Sequence, residues 1–492
     1  MRRLALLFLL LLLAGCMTGP DYHRPELDVP PSFRYAEADA KQTADTEWWK
    51  SFEDPVLTAL IGEALTNNHT LKAAAANIEQ AAAVLMQVRS PLFPQADYGA
   101  AAGRARTSGF GTSPLSSLIE NPSDSFQVFA GASWEIDLWG RIRRLSEAAR
   151  ADLFASEEAY RGVILSLVSA VAESYIQLRG LDEQLAIARR TLEAYGESVE
   201  LFELQHRHGQ VSRLIVEQAR SQYQTAAAAI PQIESQVAQT ENALSILLGR
   251  NPGGIDRGRS ILEMALPAVP AGLPSELLER RPDLAQAEQN LIAANARIGA
   301  AKALYFPTIS LTGAFGFESS ELSDLFQGSS KTWSYSGSVT GPIFTAGAIK
   351  GQVKQAEAAR LASLETYRDT ILNAFKDTEN ALVSRRKLSN ELQARESLAA
   401  ALREYARLAR MQYDGGYTPY LTVLDAESQL FPAELNVAQT RALLLTSYIT
   451  LYKSLGGGAV GSDQDKYLQL KDKDAKIGPF WALKPPFWGQ NQ

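Results

Sequence analysis

The sequence predicts an α+β membrane protein in which each chain contributes four strands to a shared β-barrel and long coiled-coil helices to a continuing wall. Three observations support this fold class: an internal two-fold sequence repeat, short segments that alternate between apolar and polar residues, and very long helical segments without proline. The chain of 492 residues has a net charge of -7. This mild acidic excess argues against nucleic acid as a partner.

The second half of the chain repeats the first half. Matching segments are residues 91–97 and 304–310, 147–150 and 357–360, and 160–161 and 367–368, and their offset falls from 213 through 210 to 207. A repeat of about two hundred residues is too long for a solenoid unit. The pattern therefore predicts two structural repeats, at 55–250 and 272–456. We expect the linker 251–271 and the C-terminal tail 457–492 to form a mixed equatorial belt.

The N-terminus has the pattern of an exported lipoprotein. Arg2 and Arg3 precede an apolar run that is too short to span a membrane, so residues 1–15 are predicted to be a signal peptide. The sequence Leu-Ala-Gly-Cys that ends at Cys16 resembles a bacterial lipobox, which implies cleavage before Cys16 and acylation of its thiol. An ordinary secretory signal is the alternative. Met17, rather than Asp, favours the outer membrane, and residues 16–54 would form an acylated N-terminal arm.

Four segments alternate between apolar and polar residues and predict strands at about 95–106, 124–138, 307–318 and 332–343. Their lengths match the strands of outer-membrane barrels, which have about 10 residues. A soluble β-sandwich is the alternative, but two isolated hairpins do not build one. Since no apolar run after the signal peptide approaches the ~20 residues of a spanning helix, we expect the mature chain to cross a bilayer as β-structure or not at all.

Each strand pair lies between helical segments. Helices are predicted at about 55–90, 141–206 and 211–248 in the first repeat and at about 273–305, 346–413 and 419–455 in the second. The first of these segments is interrupted near Asn67 and Asn68. Between Leu178 and Phe202 the apolar residues follow a 3,4 spacing, which is typical of a coiled-coil seam. At 1.5 Å per residue, each long helix would extend about 100 Å. We therefore interpret the helices as a wall, and no seam residue is a candidate site.

Four strands per chain do not close a barrel, because the smallest natural barrels of this kind have about eight strands. An open strand edge in lipid leaves backbone groups unpaired, at a cost of several kcal/mol for each group. We therefore expect the chain to oligomerise. Two copies would give eight strands and three would give twelve, and only the larger barrel leaves a wide polar lumen. Because the long helices follow the strands directly, the helical wall would continue the barrel as a conduit across the periplasm.

Four segments resemble a known family. Residues 19–22, 134–141, 273–284 and 296–307 are similar to signatures of the TolC-like outer-membrane factors, specifically the NodT-type efflux lipoproteins. The resemblance covers nearly the whole mature chain and implies a homotrimer with a twelve-stranded β-barrel and a twelve-helix α-barrel. It also implies a periplasmic adaptor and an inner-membrane pump of the resistance-nodulation-division type as partners.

The function expected from this resemblance is the outer-membrane channel of a tripartite efflux system, a passive duct for drugs or other small toxic compounds. The protein would be anchored in the outer membrane through Cys16 and would extend into the periplasm. One alternative is the duct of a type I protein secretion system. A second is a trimeric coiled-coil adhesin, although an adhesin would have its strands once, at the C-terminus, and here they are internal and duplicated.

Two turns at the far ends of the long helices contain the candidate site residues. By resemblance, the tips at 205–212 and 413–420 meet the adaptor, and the candidate contact residues are Arg207, Gly209, Ser212, Gly415, Gly416 and Tyr417. Asp425 matches an aspartate of the family's gate region, where a ring of copies would bind cations and narrow the pore. Gln218 occupies the equivalent position in the first repeat, so one half alone would supply the ring. A solvated helix position is the alternative for Asp425, and Asp414 is a weaker gate candidate on proximity.

His206 and His208 form a His-x-His pair, but a pair without a carboxylate or cysteine beside it is a poor metal site. The sequence contains no G-x-S-x-G, P-loop or His-Glu-x-x-His motif. We therefore expect no cofactor, no metal and no enzymatic activity. No motif indicates which compounds are exported.

Overall fold

The computed structural model describes residues 17–26, 29–35, 47–106, 108, 122–267 and 279–457. The predicted signal peptide, Cys16 and all but the first residue of the predicted tail lie outside these ranges. The described residues form two compact units, one made of residues from 17–26, 77–156 and 286–368 and the other of the remaining described residues. In the part of the chain that is described, no helix has an apolar stretch long enough to cross a bilayer.

The chain is mostly helical, with one small antiparallel sheet. In the first repeat the elements are α1 Pro55–Asn67, α2 His69–Arg89, β1 Gln95–Ala105, β2 Ser123–Ile136, α3 Arg141–Arg207 and α4 Arg213–Leu247. In the second they are α5 Pro282–Ala303, β3 Thr308–Ser319, β4 Lys331–Thr340, α6 Ala348–Asp414 and α7 Tyr420–Ser454. Of the helix predicted at 273–305, residues 273–278 lie outside the described ranges, and Pro282 takes the first position of α5, where its missing N–H is not needed.

The helical segment predicted at 55–90 consists of two helices that meet at Asn68, close to the expected interruption. Its side-chain oxygen accepts a hydrogen bond of 3.0 Å from the backbone N–H of Leu71, and its side-chain amide donates one of 2.9 Å to the carbonyl of Leu247. An asparagine in this role caps a new helix and turns the backbone away from helical angles. The interruption expected near Asn67 and Asn68 is therefore a helix boundary that this side chain fixes.

The strand predicted at 124–138 ends at Ile136, because the next residue serves the following helix instead. The carboxylate of Asp137 accepts hydrogen bonds from the backbone N–H groups of Ile142 at 3.0 Å and Arg143 at 2.9 Å. These groups belong to the first turn of α3 and have no partner inside the helix. A side chain that caps the helix in this way ends the strand.

The strand predicted at 332–343 ends earlier than expected, at Thr340. Gly341 and Pro342 follow, and proline has no N–H with which to continue a ladder. In the sheet, whose strand order is β1-β2-β3-β4, β4 is an edge strand.

The sheet has one apolar and one polar face. Residues that pair directly lie on the same face, so the observed register places these side chains together on the apolar face: Tyr98, Phe126, Val128, Trp134, Leu311, Phe315, Trp333, Tyr335 and Val339. The opposite face contains Gln127, Ser133, Ser310, Thr312, Ser336 and Ser338. Phe129 is the exception on the polar face, and its ring occupies the space beside Gly99, where an added Cβ would lie 2.7 Å from it.

In the other unit, the segment before α1 and the loop after α4 share a core with the helices. Trp48 stacks on Tyr452 with ring centroids 5.4 Å apart. The buried carboxylate of Asp54 accepts hydrogen bonds from the Tyr175 hydroxyl and the backbone N–H of Arg259, both at 3.0 Å. Burial raises the pKa of Tyr175. These buried polar contacts fix the loop at 251–267 against the helices.

Candidate gate, docking tips and N-terminal arm

The turn between α3 and α4 is a Schellman motif. Gly209 has φ +73°, its N–H donates to the carbonyl of His206 at 2.9 Å, and the N–H of Gln210 donates to the carbonyl of Gln205 at 2.9 Å. These bonds satisfy carbonyls at the helix end, and the positive φ favours glycine. The first tip is therefore a tight turn and not an extended loop.

The turn between α6 and α7 has the same geometry. Gly416 has φ +76°, and the N–H groups of Gly416 and Tyr417 donate to the carbonyls of Tyr413 and Gln412, both at 2.9 Å. Each of these residues follows its counterpart in the first turn by 207 positions. The sequence repeat thus extends to individual backbone hydrogen bonds.

All six predicted tip residues are exposed in the structure. Sequence reasoning missed that large apolar side chains flank them. Leu204 and Leu214 are exposed beside the first turn, and Met411 and Leu421 are exposed beside the second. The two pairs are also related by the 207-residue offset, which was the available signal. Each tip therefore presents a polar turn with apolar side chains on either side.

A hydrophobic cluster joins the ends of α3, α4, α6 and α7. Phe202 is completely buried, and its ring lies 4.3 Å from that of Tyr420 and 6.1 Å from that of Tyr413. The buried residues around it are Val216, Ala219, Ala409, Val423 and Ala426. The tertiary structure thus brings the two tips side by side, although they are far apart in sequence.

Asp425 lies on the exposed surface of α7, within reach of α6. Its Oδ2 atom accepts hydrogen bonds from the Tyr405 hydroxyl at 3.1 Å and from the Gln429 amide at 2.9 Å. The hydrogen bond to this carboxylate raises the pKa of Tyr405. Ser198 and Gln218 occupy the equivalent places in the first repeat, so this tyrosine–carboxylate pair is specific to the second. Sequence reasoning found Asp425 but missed Tyr405.

Asp414 has a different partner. Its Oδ1 atom lies 3.6 Å from Nε of Arg410, one turn earlier on α6, and its side chain is exposed. Arg410 also donates a long hydrogen bond of 3.5 Å to the Ser198 hydroxyl on α3. Arg410 therefore links the two helical hairpins, whereas Asp414 lies at the exposed helix end.

At one pair of equivalent positions, the arginine and the glutamate exchange places between the two repeats. On the first hairpin, Arg220 and Glu203 form an exposed ion pair at 2.7 Å, and the equivalent residues on the second hairpin are Glu427 and Arg410. Glu427 is turned inward, and its Oε2 atom is buried with no hydrogen-bond partner among the described residues. Burial raises the pKa of Glu427, while Arg410 opposes that rise. The Tyr195 hydroxyl donates to the backbone carbonyl of Glu427 at 3.0 Å. The second hairpin thus has a partly buried carboxyl group near the candidate gate.

Of the two histidines of the first tip, His206 has a partner within the turn. Nδ1 of His206 lies 3.0 Å from the carbonyl oxygen of Val211, so this ring supports the turn. Across the described ranges, no three or more His, Cys, Asp or Glu side chains are grouped as metal ligands.

Several hydrogen bonds fix the N-terminal arm to the sheet-containing unit, and one buried arginine donates three of them. The Arg144 side chain is 3% exposed. It donates hydrogen bonds to the carbonyls of Thr18 at 3.0 Å and Gly19 at 3.4 Å, and to the carboxylates of Asp21 at 2.8 Å and Glu147 at 2.9 Å. Sequence reasoning predicted an arm but not the contact with Arg144.

Comparison with known proteins identifies the family. Residues 60–250 and 273–457 match the family model of the outer membrane efflux proteins. The chain is 37% identical over 458 residues to the toluene efflux pump outer membrane protein TtgF of Pseudomonas putida, with 91% of this chain and 95% of that protein covered. It is 36% identical over 457 residues to the cation efflux system protein CusC of Escherichia coli, with 91% and 97% covered.

A solved structure agrees with these sequence relatives. The open state of the MtrE outer membrane channel of Neisseria gonorrhoeae matches with a TM-score of 0.82 at 32% identity, covering 91% of this chain and 100% of that one. The family expected from the sequence is confirmed. This chain belongs to the outer membrane efflux protein family, a family of channels and not of enzymes, and is an outer-membrane component of an efflux system.

Proposed function

We propose that this chain is one protomer of a homotrimeric, passive duct that carries small toxic compounds across the periplasm and the outer membrane. The observation that supports this most directly is the four-stranded sheet, in which β1 and β4 each have a neighbouring strand on one side only within the described residues. Unpaired edges in lipid cost several kcal/mol for each backbone group. Three copies would supply twelve strands, enough for a barrel with a polar lumen.

The two faces of the sheet suit this role. On the apolar face, Tyr335 is 81% exposed, as expected of an aromatic side chain that meets lipid. On the polar face, hydroxyl groups pair across the strands, Ser310 with Ser338 and Thr312 with Ser336, both at 2.7 Å. Such a face suits a water-filled lumen. Anchoring through an acyl group on Cys16 would add a second attachment to the outer membrane.

We assign the choice of cargo to the partners and not to the duct. The two relatives named above are called a toluene and a cation efflux protein, so chemically different compounds leave through channels of this family. A periplasmic adaptor meeting the tips and an inner-membrane pump of the resistance-nodulation-division type would select the compound and supply the energy. The polar turns with their apolar flanks offer the adaptor both hydrogen-bonding groups and apolar area.

The gate is assigned to Asp425 in its contact with Tyr405. Copies of this exposed carboxylate around a symmetry axis would form an acidic ring that binds cations. Replacing Asp425→Ala should raise single-channel conductance in a planar bilayer and reduce block by divalent cations. Gln218→Ala is the matched control, because it changes the equivalent position of the first repeat, and it should leave both properties unchanged. Unaltered conductance and cation block in Asp425→Ala would exclude this residue from the gate.

The function itself is tested in a strain that lacks this chain. Such a strain should become more susceptible to at least one class among drugs, organic solvents and metal ions, and the wild-type chain should restore resistance. Unchanged susceptibility together with loss of a secreted protein from the medium would favour a duct for type I secretion instead.

A further inference from the structure

The charged side chains of the sheet are divided unequally between its two faces. The four strands contain two basic residues, Arg104 on β1 and Lys331 on β4. The pairing register places both on the apolar face, because Lys331 pairs with Phe317, which in turn pairs with Val128, and Arg104 is two residues from the partner of Phe126. The polar face has no basic residue on these strands, and its charged residues are Asp97, Glu135 and Glu318.

Both basic residues lie at the same end of the sheet. Arg104 is the next-to-last residue of β1, and Lys331 is the first residue of β4. The long helix α3 begins close to the opposite end, soon after β2 finishes at Ile136. In the proposed duct the helices extend into the periplasm. The end with Arg104 and Lys331 therefore faces the cell exterior, at the level of the outer leaflet.

Lys331 has aromatic surroundings. Its Nζ atom lies 5.1 Å from the ring centroid of Phe315, and its paired residue on β3 is Phe317. The exposed ring of Phe326, in the loop before β4, lies 5.6 Å from that of Phe317. No carboxylate among the described residues forms an ion pair with Lys331. An uncompensated charge in apolar surroundings is costly, so at a lipid surface this ammonium group needs an anion from outside the chain.

Two further aromatic side chains extend this surface toward the middle of the strand. Trp333 and Tyr335 stack with ring centroids 5.8 Å apart, and both are strongly exposed. They follow Lys331 at a spacing of two residues and therefore lie on the same face. Exposed aromatic side chains on barrel strands mark the boundary between lipid headgroups and acyl chains. Lys331, just outside this pair, thus lies at the depth of the headgroups.

Arg104 is the second cation at this end of the apolar face. Its side chain is 69% exposed, and its Nε atom lies 3.6 Å from Oδ1 of Asp124. A strong charge-assisted hydrogen bond spans about 2.7–2.9 Å, so Asp124 engages the guanidinium only loosely. The fork of donors in a guanidinium matches two oxygens of one phosphate group.

We propose that Lys331 and Arg104 bind phosphate groups of the glycolipid of the outer leaflet, while the aromatic side chains beside Lys331 contact its acyl chains. This inference rests on the membrane barrel proposed above and specifies a lipid site on its surface. The site combines positive charge with exposed apolar area, and an anionic lipid complements both. Position selects the glycolipid, because the phosphorylated glycolipid lies in the outer leaflet and phospholipids lie in the leaflet next to the helices.

Native mass spectrometry of the full-length, detergent-solubilised protein with purified lipid A tests the site. The wild-type protein should bind lipid A more tightly than dephosphorylated lipid A or phosphatidylglycerol, and added salt should weaken the binding. A basic residue at a lipid surface contributes about fivefold to affinity. Lys331→Gln and Arg104→Gln should therefore each weaken binding about fivefold, and the double variant about 25-fold.

Two variants serve as controls. Lys331→Arg keeps the positive charge and should retain binding. Lys354→Gln removes an exposed cation from α6 instead of the sheet and should bind lipid A as the wild type does. The single and double glutamine variants should keep the wild-type conductance in planar bilayers, which shows that they fold and assemble.

The outcomes separate the lipid site from the duct. Equal binding of lipid A and its dephosphorylated form, or wild-type affinity in the conducting double variant, would overturn the phosphate site. Equally tight binding of phosphatidylglycerol would overturn the choice of the glycolipid. A wild-type protein that has a trimeric mass and conducts, but does not bind lipid A, would overturn this inference alone. A wild-type protein that is monomeric and does not conduct would overturn the proposed duct and the lipid site with it.

Discussion

Phe202 gives the clearest quantitative test of how the two tips are held together. Its side chain is completely buried against Tyr420 and Tyr413, and truncating a buried phenylalanine to alanine costs about 3–5 kcal/mol. Because every 1.4 kcal/mol is a factor of ten, the equilibrium for local opening of the tip should rise by about a hundredfold to a few thousandfold in Phe202→Ala. The second repeat has Ala409 at the equivalent position, so the large ring at this position comes from the first repeat.

Hydrogen exchange followed by mass spectrometry measures this opening directly. Peptides covering 202–216 and 409–426 should both exchange faster in Phe202→Ala, since the cluster joins both hairpins. Phe202→Leu should give a smaller effect, and Leu204→Ala, whose side chain is 47% exposed, should change exchange by less than about tenfold. Exchange in Phe202→Ala within threefold of wild type, or acceleration confined to the first hairpin, would refute the reasoning.

Three further predictions concern single side chains. Burial raises the pKa of Glu427 in the folded state. Above that pKa the side chain is charged while buried, which lowers the free energy of unfolding. Below the unfolded-state pKa the carboxyl group is protonated in both states, and this destabilisation is absent. Glu427→Gln should therefore raise the thermal unfolding temperature at pH 8 but not at pH 4, and an equal shift at both would contradict the assignment. Arg144→Met should accelerate chymotrypsin cleavage after Tyr22 at least tenfold, because the arm loses its buried anchor, whereas exposed Arg150→Met on the same helix should not. Cys16→Ser should abolish incorporation of labelled palmitate, and retained label would place the acyl group elsewhere.

The parts of the fold that could be predicted are those encoded in local periodicity. The alternation along β2 indicated which side chains share a face, and the positions of Gly209 and Gly416 indicated where the long helices end. Local patterns were insufficient where one side chain served two elements. Asp137 reads as part of a strand in sequence but caps α3. The interruption near Asn68 was expected, but not that its side chain would both cap α2 and contact Leu247. Which role such a residue takes depends on the backbone groups that packing brings to it.

The sequence likewise identified only part of the candidate site. Asp425 was found through family resemblance, and its assignment to the gate remains a prediction, as do the tip contacts, the trimer and the lipid anchor. Tyr405 was missed because its contact with Asp425 exists only where α6 and α7 pack together. Arg410 and Glu427 were missed because their importance lies in a charge reversal relative to Glu203 and Arg220.

The sequence by itself determined the family, the order of helices and strands, and the two faces of the sheet, because these follow from motifs and from periodicities of 2 and about 3.6 residues. Only the tertiary structure decided which helix ends meet. Tyr195 and Glu427 form a hydrogen bond although they are 232 residues apart in the chain. A local sequence pattern does not predict such a contact. It depends on how the apolar surfaces of distant helices pack, because that packing decides which polar atoms are removed from water.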